Sequence, residues 1–324
     1  MCTCIDFRSK DFYFGRNLDL EYNFGEKIVI TPRDYLFELK NGSKLKTKYA
    51  IMGMATVVNS YPLYADAVNE NGLCMAGLYF PGNAVYNKEI EQNINIASFE
   101  LIPWVLGNFS NITELKEELN NLNITDAKFN ENLPAAQLHW TISDEDESIV
   151  LEQVEDGLKI YDNPFGVLTN NPPFNYHKIN ISNYMNLSCK YPENRFTDKI
   201  DLDVFGQGIS MIGLPGDVTP PARFVRAAFN KSNSVECSNE NEAISQFFHI
   251  LDSVAMLKGT VLTKENKLDM TTYSSCINAT KGIYYFKTYY DSQINAVKFN
   301  EKNINSKELE IHELPITQNV KYLN

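Results

Sequence analysis

The residues Met1-Cys2-Thr3-Cys4-Ile5-Asp6 lack the basic and apolar regions expected of a leader, and no apolar run comes near the roughly 20 residues that a membrane-spanning helix requires. Cations are in the minority: 29 Lys+Arg face 41 Asp+Glu, a net charge of −12. That balance excludes nucleic acid and anionic membrane as partners, because both are gripped by basic patches that release counterions. Histidine is scarce, with 4 residues and no HExxH-type spacing, and Cys2-x-Cys4 has no second Cys or His cluster to complete a tetrahedral metal site. His139 beside Trp140, and His249, read as packed or surface side chains rather than ligands. There is no Walker motif, and Gly206-x-Gly208 does not follow the strand–turn–helix order of a dinucleotide fingerprint. The 6 cysteines (Cys2, Cys4, Cys74, Cys189, Cys237, Cys276) lack the spacing of a disulfide scaffold and suit the reduced thiols of a cytoplasm. No internal repeat and no Pro/Gly/Ser linker divides the chain. The expectation is one cytoplasmic domain over residues 1–324, needing neither metal nor organic cofactor.

What is present is the makings of a core. Of the 324 residues, 44% are hydrophobic and 22% charged, a folded-domain profile, and a chain of this length buries roughly 75% of its unfolded surface. Strand patterns fall at 2–7 and 12–17 around the turn Arg8-Ser9-Lys10-Asp11, then at 27–31, 49–58, 73–80, 138–142, 148–154, 159–161 and 167–169. Helical periodicity covers 97–108, 112–122 and 240–257. Strands return at 270–275, 282–289 and 292–298. Antiparallel runs with helices grouped between them predict an α+β layered fold rather than a doubly wound one.

The most informative residue is Cys2. Met followed by a small residue is a substrate for methionine removal, which would leave a thiol and an α-amine on one residue. Such an amine titrates near 7.7–8.0, close enough to neutrality to accept the thiol proton, so one residue can be both nucleophile and base. With Ser9-Lys10 as the turn centre, antiparallel pairing sets Cys2 opposite Asn17, with Arg16, Leu18 and Asp19 nearby. An arginine beside the sulfur favours thiolate, and an aspartate beside the ammonium orients it. In that register simple alternation puts Arg16 on the face opposite Cys2 unless a bulge at Gly15 turns it back.

Several blocks then point the same way. Met1-Cys2-Thr3, Phe14-Gly15-Arg16-Asn17-Leu18-Asp19, Asn69-Glu70-Asn71-Gly72-Leu73, Leu168-Thr169-Asn170-Asn171-Pro172, Gly213-Leu214-Pro215-Gly216-Asp217 and Ala222-Arg223-Phe224-Val225-Arg226 resemble the choloylglycine hydrolase family, in that family's order and from residue 1 to about 289. The resemblance implies an N-terminal nucleophile (Ntn) hydrolase, an αββα sandwich of two antiparallel sheets between helix layers, commonly a homotetramer. Carried over position by position, it implies Cys2 as nucleophile, Arg16 by the sulfur and Asp19 by the amine. It likewise implies the Asn170 side-chain amide and the Tyr79 backbone N–H as oxyanion donors, and Arg223 organising the nucleophile's surroundings.

The family includes bile salt hydrolases and penicillin V acylases. Gly77-Leu78-Tyr79-Phe80 carries Tyr where the bile salt enzymes usually carry Asn, the pattern of the acylases. Leu18, Val58, Ala65, Phe129 and Leu133 match the family's steroid-contacting positions, all apolar, as a slot for a rigid steroid requires. The implied activity is hydrolysis of glycine- or taurine-conjugated bile acids through a Cys2 thioester, with aminoacyl transfer if an amine intercepts it. Penicillin V acylase is the alternative, and a catalytically silent binding protein is a third reading.

Overall fold

The N-terminal hairpin lies in the middle of the molecule, not at its edge. The computed structural model describes residues 1–324. A seven-stranded sheet runs Val167–Leu168, Cys2–Arg8, Phe12–Leu20, Leu268–Asn278, Ile283–Thr288 and Asp291–Lys298, with Val261–Leu262 pairing Leu268–Asn278. An eight-stranded sheet runs Gly157–Asp162, Ser148–Val154, Leu138–Ser143, Cys74–Tyr79, Tyr61–Asn69, Ile51–Val58, Lys27–Thr31 and Glu310–Glu313. Every pairing within the two sheets is antiparallel.

The sheets stack face to face: Arg16 of the first reaches the carbonyls of Ala65 and Gly77 in the second, and Tyr273 reaches Asp66. Helices Leu101–Asn108 and Ile112–Leu119 cover the outer face of the eight-stranded sheet, where Leu101, Val105, Ile112 and Leu115 join a core with Ala67, Met75 and Trp140. Helices Pro220–Ser232 and Glu240–Asp252 cover the seven-stranded sheet through Phe224, Phe247 and Leu251. The result is the αββα sandwich expected. No helix is long and apolar enough to cross a membrane.

The differences from the expected elements have local causes. Strand Tyr61–Asn69 was missed because Pro62 and two alanines weaken its strand pattern, yet it pairs with Ile51–Val58 across an Asn59-Ser60 turn. Both turn residues have positive φ (51° and 61°), the geometry that matches strand twist in a two-residue hairpin. Helix Pro220–Ser232 opens on Pro220-Pro221, which punctuates a sequence but is tolerated in a helix's first turn, where the missing N–H has no partner anyway. The helices expected at 112–122 and 240–257 stop at Leu119 and Asp252.

The consequential correction is in the first hairpin. Arg8 pairs with Phe12, so three residues, Ser9 to Asp11, form the turn, and Cys2 faces Leu18 rather than Asn17. Because strand faces alternate with period 2, that one-residue shift puts Cys2, Cys4, Arg16 and Leu18 on the same, inter-sheet face with no bulge at Gly15. Gly15 serves another purpose: a Cβ there would lie 2.1 Å from the Ser275 carbonyl oxygen, so only glycine lets the two strands approach.

Candidate active site

Arg16 occupies the gap between the sheets beside Cys2, and both are buried. Its Nη1 donates to the carbonyls of Ala65 (2.9 Å) and Gly77 (2.6 Å). The Ala65 carbonyl is available because Met54 pairs with Asp66 and Ala55 with Tyr64, leaving Ala65 as the extra residue of a bulge. Nε and Nη2 of Arg16 have no partner. A buried guanidinium with two idle nitrogens is costly unless an anion meets it. Burial alone would lower the Arg16 pKa, but the surrounding Cys2, Tyr273 and Asp66 raise it.

Asp66 is the nearby carboxylate, and it is occupied elsewhere. It accepts hydrogen bonds from the hydroxyls of Tyr273 (2.5 Å), Tyr284 and Ser275 (3.3 Å). Burial pushes its carboxyl pKa up, opposed by Arg16 and those hydroxyls. A second bulge delivers Tyr273: Thr271 pairs with Asp19 while Tyr273 pairs with Leu18, so Thr271 points to the helix layer and Tyr273 into the gap. Sequence reasoning did not find this cluster. Its only signal was a lone acidic residue inside an apolar stretch at 63–68.

The opposite face of the hairpin belongs to Arg223. From helix Pro220–Ser232 it donates Nη1 to the Cys2 carbonyl and to Thr3 Oγ1 (2.5 Å), Nε to the Val218 carbonyl (2.9 Å) and Nη2 to Asn170 Oδ1 (2.9 Å). Asp19 Oδ2 lies 4.0 Å from its Nη1. Asn170 Oδ1 also accepts the Cys2 backbone N–H at 2.7 Å, and Asn170 Nδ2 donates to the Tyr79 carbonyl at 2.7 Å. Asp19 takes the Thr271 hydroxyl at 2.6 Å, and burial pushes its carboxyl pKa up against the pull of Arg223 and the terminal ammonium. The Met1 ammonium donates to the Asp19 carbonyl (2.5 Å) and lies 3.5 Å from Asp269.

Tyr79 ends strand Cys74–Tyr79 with its side chain half exposed (51%). In an antiparallel strand a residue's C=O and N–H point to the same side. Since the Tyr79 C=O meets Asn170, its N–H points toward that side as well, away from the neighbouring strand Leu138–Ser143. The six expected site residues Cys2, Arg16, Asp19, Tyr79, Asn170 and Arg223 thus converge from five segments.

The five apolar positions split in two. Leu18 pairs with Cys2 and Ala65 binds Arg16. Val58 pairs with Tyr61 at a hairpin tip, where the Tyr61 ring packs edge-on against Phe129 (5.4 Å), and the Phe129 N–H donates to the Leu133 carbonyl. Val58, Ala65, Phe129 and Leu133 are half-buried and Leu18 is buried. All 6 cysteines are free thiols, and no group of three His, Cys, Asp or Glu side chains converges as a metal would need.

Two antiparallel sheets facing each other between helix layers, with the second residue buried between them, define the Ntn-hydrolase fold. Residues 2–312 match the model of the choloylglycine hydrolase family of linear amide C–N hydrolases, and the chain belongs to that family. It is 49% identical to a bile salt hydrolase/transferase of Lactiplantibacillus plantarum over 95% of both chains. The crystal structure of a conjugated bile acid hydrolase mutant from Clostridium perfringens superposes with a TM-score of 0.93 at 42% identity, covering 100% of each chain. Penicillin V acylase from Agrobacterium tumefaciens shares the fold at a TM-score of 0.77 and 19% identity, covering 96% of this chain and 90% of its own.

Proposed function

We propose that this enzyme hydrolyses the amide of glycine- or taurine-conjugated bile acids through a thioester on Cys2. The observation that carries the proposal is the grip on the Cys2 main chain: Asn170 Oδ1 holds its nitrogen at 2.7 Å and Arg223 its carbonyl oxygen. Removal of Met1 would turn that nitrogen into a free α-amine already in place. The amine takes the thiol proton, and the thiolate, on the same strand face as the Arg16 guanidinium, adds to the amide carbon. An amide nitrogen carries two hydrogens, so Asn170 Nδ2 keeps one for the oxyanion after bonding Tyr79, and the Tyr79 N–H supplies the second bond. The ammonium then protonates the departing glycine or taurine nitrogen as the C–N bond breaks. Water gives its proton to the same amine, its oxygen adds to the thioester, and the free bile acid leaves as the thiol re-forms. If another amine replaces water, the outcome is transfer. Asp19 and Arg223 hold the amine's surroundings in place.

Leu18, Val58, Ala65, Phe129 and Leu133 would line the steroid slot, where burial of an apolar body contributes about 25 cal/mol per Å². The 49% identity to a bile salt hydrolase/transferase supports this substrate. The half-exposed Tyr79 ring favours a second reading, penicillin V acylase with the same residues. One domain over 1–324 is supported by a core that joins residues from Cys2 to Phe286. A cytoplasmic homotetramer fits the family, and Met185, Phe196 and Phe205, at 85%, 83% and 90% exposed, offer apolar surface for assembly.

The test is hydrolysis of glycocholate, taurocholate and penicillin V side by side, with Cys2→Ala as control and intact mass reporting on Met1. Bile salt turnover that disappears in the variant supports the proposal. Preferential penicillin V cleavage replaces it with the second reading, and active protein retaining Met1 overturns the mechanism.

A further inference from the structure

The segment carrying Asn170 leaves the sheet ladder at Leu168, so the carbonyls of Thr169 and Asn170 need donors from elsewhere. Two histidines supply them. His139 Nε2 meets the Thr169 carbonyl at 2.8 Å, and His177 Nε2 meets the Asn170 carbonyl at 3.0 Å. His139 is the more connected of the two. Its Nδ1 lies 2.9 Å from Glu152 Oε1, which also accepts the Phe174 N–H at 2.9 Å. Its ring stacks on Phe80 with centroids 4.2 Å apart and planes within 5°. His139, Glu152, Thr169 and Phe80 are all fully buried.

The Thr169 carbonyl oxygen only accepts, so His139 Nε2 donates to it, while Nδ1 bonds Glu152 Oε1 and Phe80 covers one ring face. The ring therefore has one orientation. Phe80 follows Tyr79 and Thr169 precedes Asn170, so this one ring touches the neighbour of each of the two groups that meet beside Cys2. Glu152 extends the same brace to Phe174, on the far side of Asn170.

We propose that His139, locked by Glu152, is a positioning residue that fixes the separation of the Tyr79 N–H and the Asn170 side-chain amide, and so sets the oxyanion site without touching substrate. This rests on the proposed thioester chemistry at Cys2. Substitution of His139 releases the Thr169 carbonyl and unstacks Phe80, and both donors drift relative to the sulfur. Donors that only bind well-placed oxyanions lose their effect steeply with misplacement.

The experiment compares His139→Asn with wild type on three readouts. These are kcat and KM for glycocholate, the affinity of a bile-acid aldehyde that forms a tetrahedral adduct with Cys2, and the rate of Cys2 alkylation by iodoacetamide, which needs the thiol but no oxyanion site. The expected result is a fall in kcat of about 10²-fold, a similar loss of aldehyde affinity relative to free cholate, and KM and alkylation rate within about threefold of wild type. Unchanged kcat and aldehyde affinity overturn the proposal. So does a parallel fall in alkylation, which marks general disruption of the site. Glu152→Gln keeps the side-chain volume and covers the case in which His139→Asn does not fold; it should show the same split at smaller size. If wild type does not hydrolyse glycocholate, the substrate reading fails by itself, and the aldehyde-to-alkylation comparison, run with a phenoxyacetyl aldehyde, still decides the role of His139.

Discussion

Arg16 and Arg223 flank Cys2 from opposite faces of one hairpin, both fully buried, yet they are held in opposite ways. Arg223 spends its guanidinium on four acceptors and has Asp19 within 4.0 Å. Arg16 makes two bonds from a single nitrogen, leaves two nitrogens idle, and sits near an Asp66 whose oxygens are already taken by hydroxyls. A satisfied buried cation is a brace, and its worth lies in the acceptors it would strand if lost. An unsatisfied one stores an unmet demand for negative charge, which the thiolate proposed at Cys2 would meet. On the proposed chemistry the two arginines divide the work of building the site and of charging it.

Removing each arginine should separate these tasks. Arg223→Gln strands several buried acceptors and is expected to cost about 3–5 kcal/mol in urea unfolding as well as abolish hydrolysis. Arg16→Met, which abandons only two carbonyls and removes an under-solvated charge, should cost about 1 kcal/mol of stability while reducing kcat/KM by at least about 10²-fold. Equal stability losses in the pair would break the distinction. Tyr79→Asn leaves the backbone donor intact, so turnover of the preferred substrate should stay within about tenfold while the glycocholate-to-penicillin V ratio rises by about tenfold or more. An unchanged ratio would remove Tyr79 from substrate choice.

A further effect is in pH, and it leaves the chemistry at Cys2 aside. Burial pushes the His177 pKa down to about 4, against an unfolded value near 6.5. Above pH 6.5 neither state binds the proton. As pH falls from 6.5 toward 4 the unfolded chain gains it and the folded chain does not, so stability drops by up to about 3 kcal/mol. His177→Asn should flatten that part of the unfolding-versus-pH curve. A slope unaltered by the substitution would assign acid sensitivity to other groups.

Much of this molecule could be seen in the sequence. Alternating segments such as those at 27–31 and 148–154 appear where their patterns placed them, because burial on one face dictates the period. Strand Tyr61–Asn69 and helix Pro220–Ser232 were hidden by proline and by weak propensity, which tertiary packing overrode. At the site, blocks of sequence resembling a known family pointed to six residues that the fold brings together around the Cys2 main chain. They did not show Asp66 with its tyrosines, or the two histidines under residues 169 and 170, because none of these has a local pattern.

The sequence by itself determined a thiol at position 2, the apolar and polar periods, and the family to which both belong. The tertiary structure alone decided which face each arginine occupies. A strand repeats every two residues, so a three-residue turn in place of a two-residue one moves Arg16 from the far side of the sheet to the side of Cys2. It also decided which buried charges are satisfied, since Arg223 meets the Cys2 carbonyl across 221 positions of sequence, and hydrogen bonds depend on distance in space rather than along the chain.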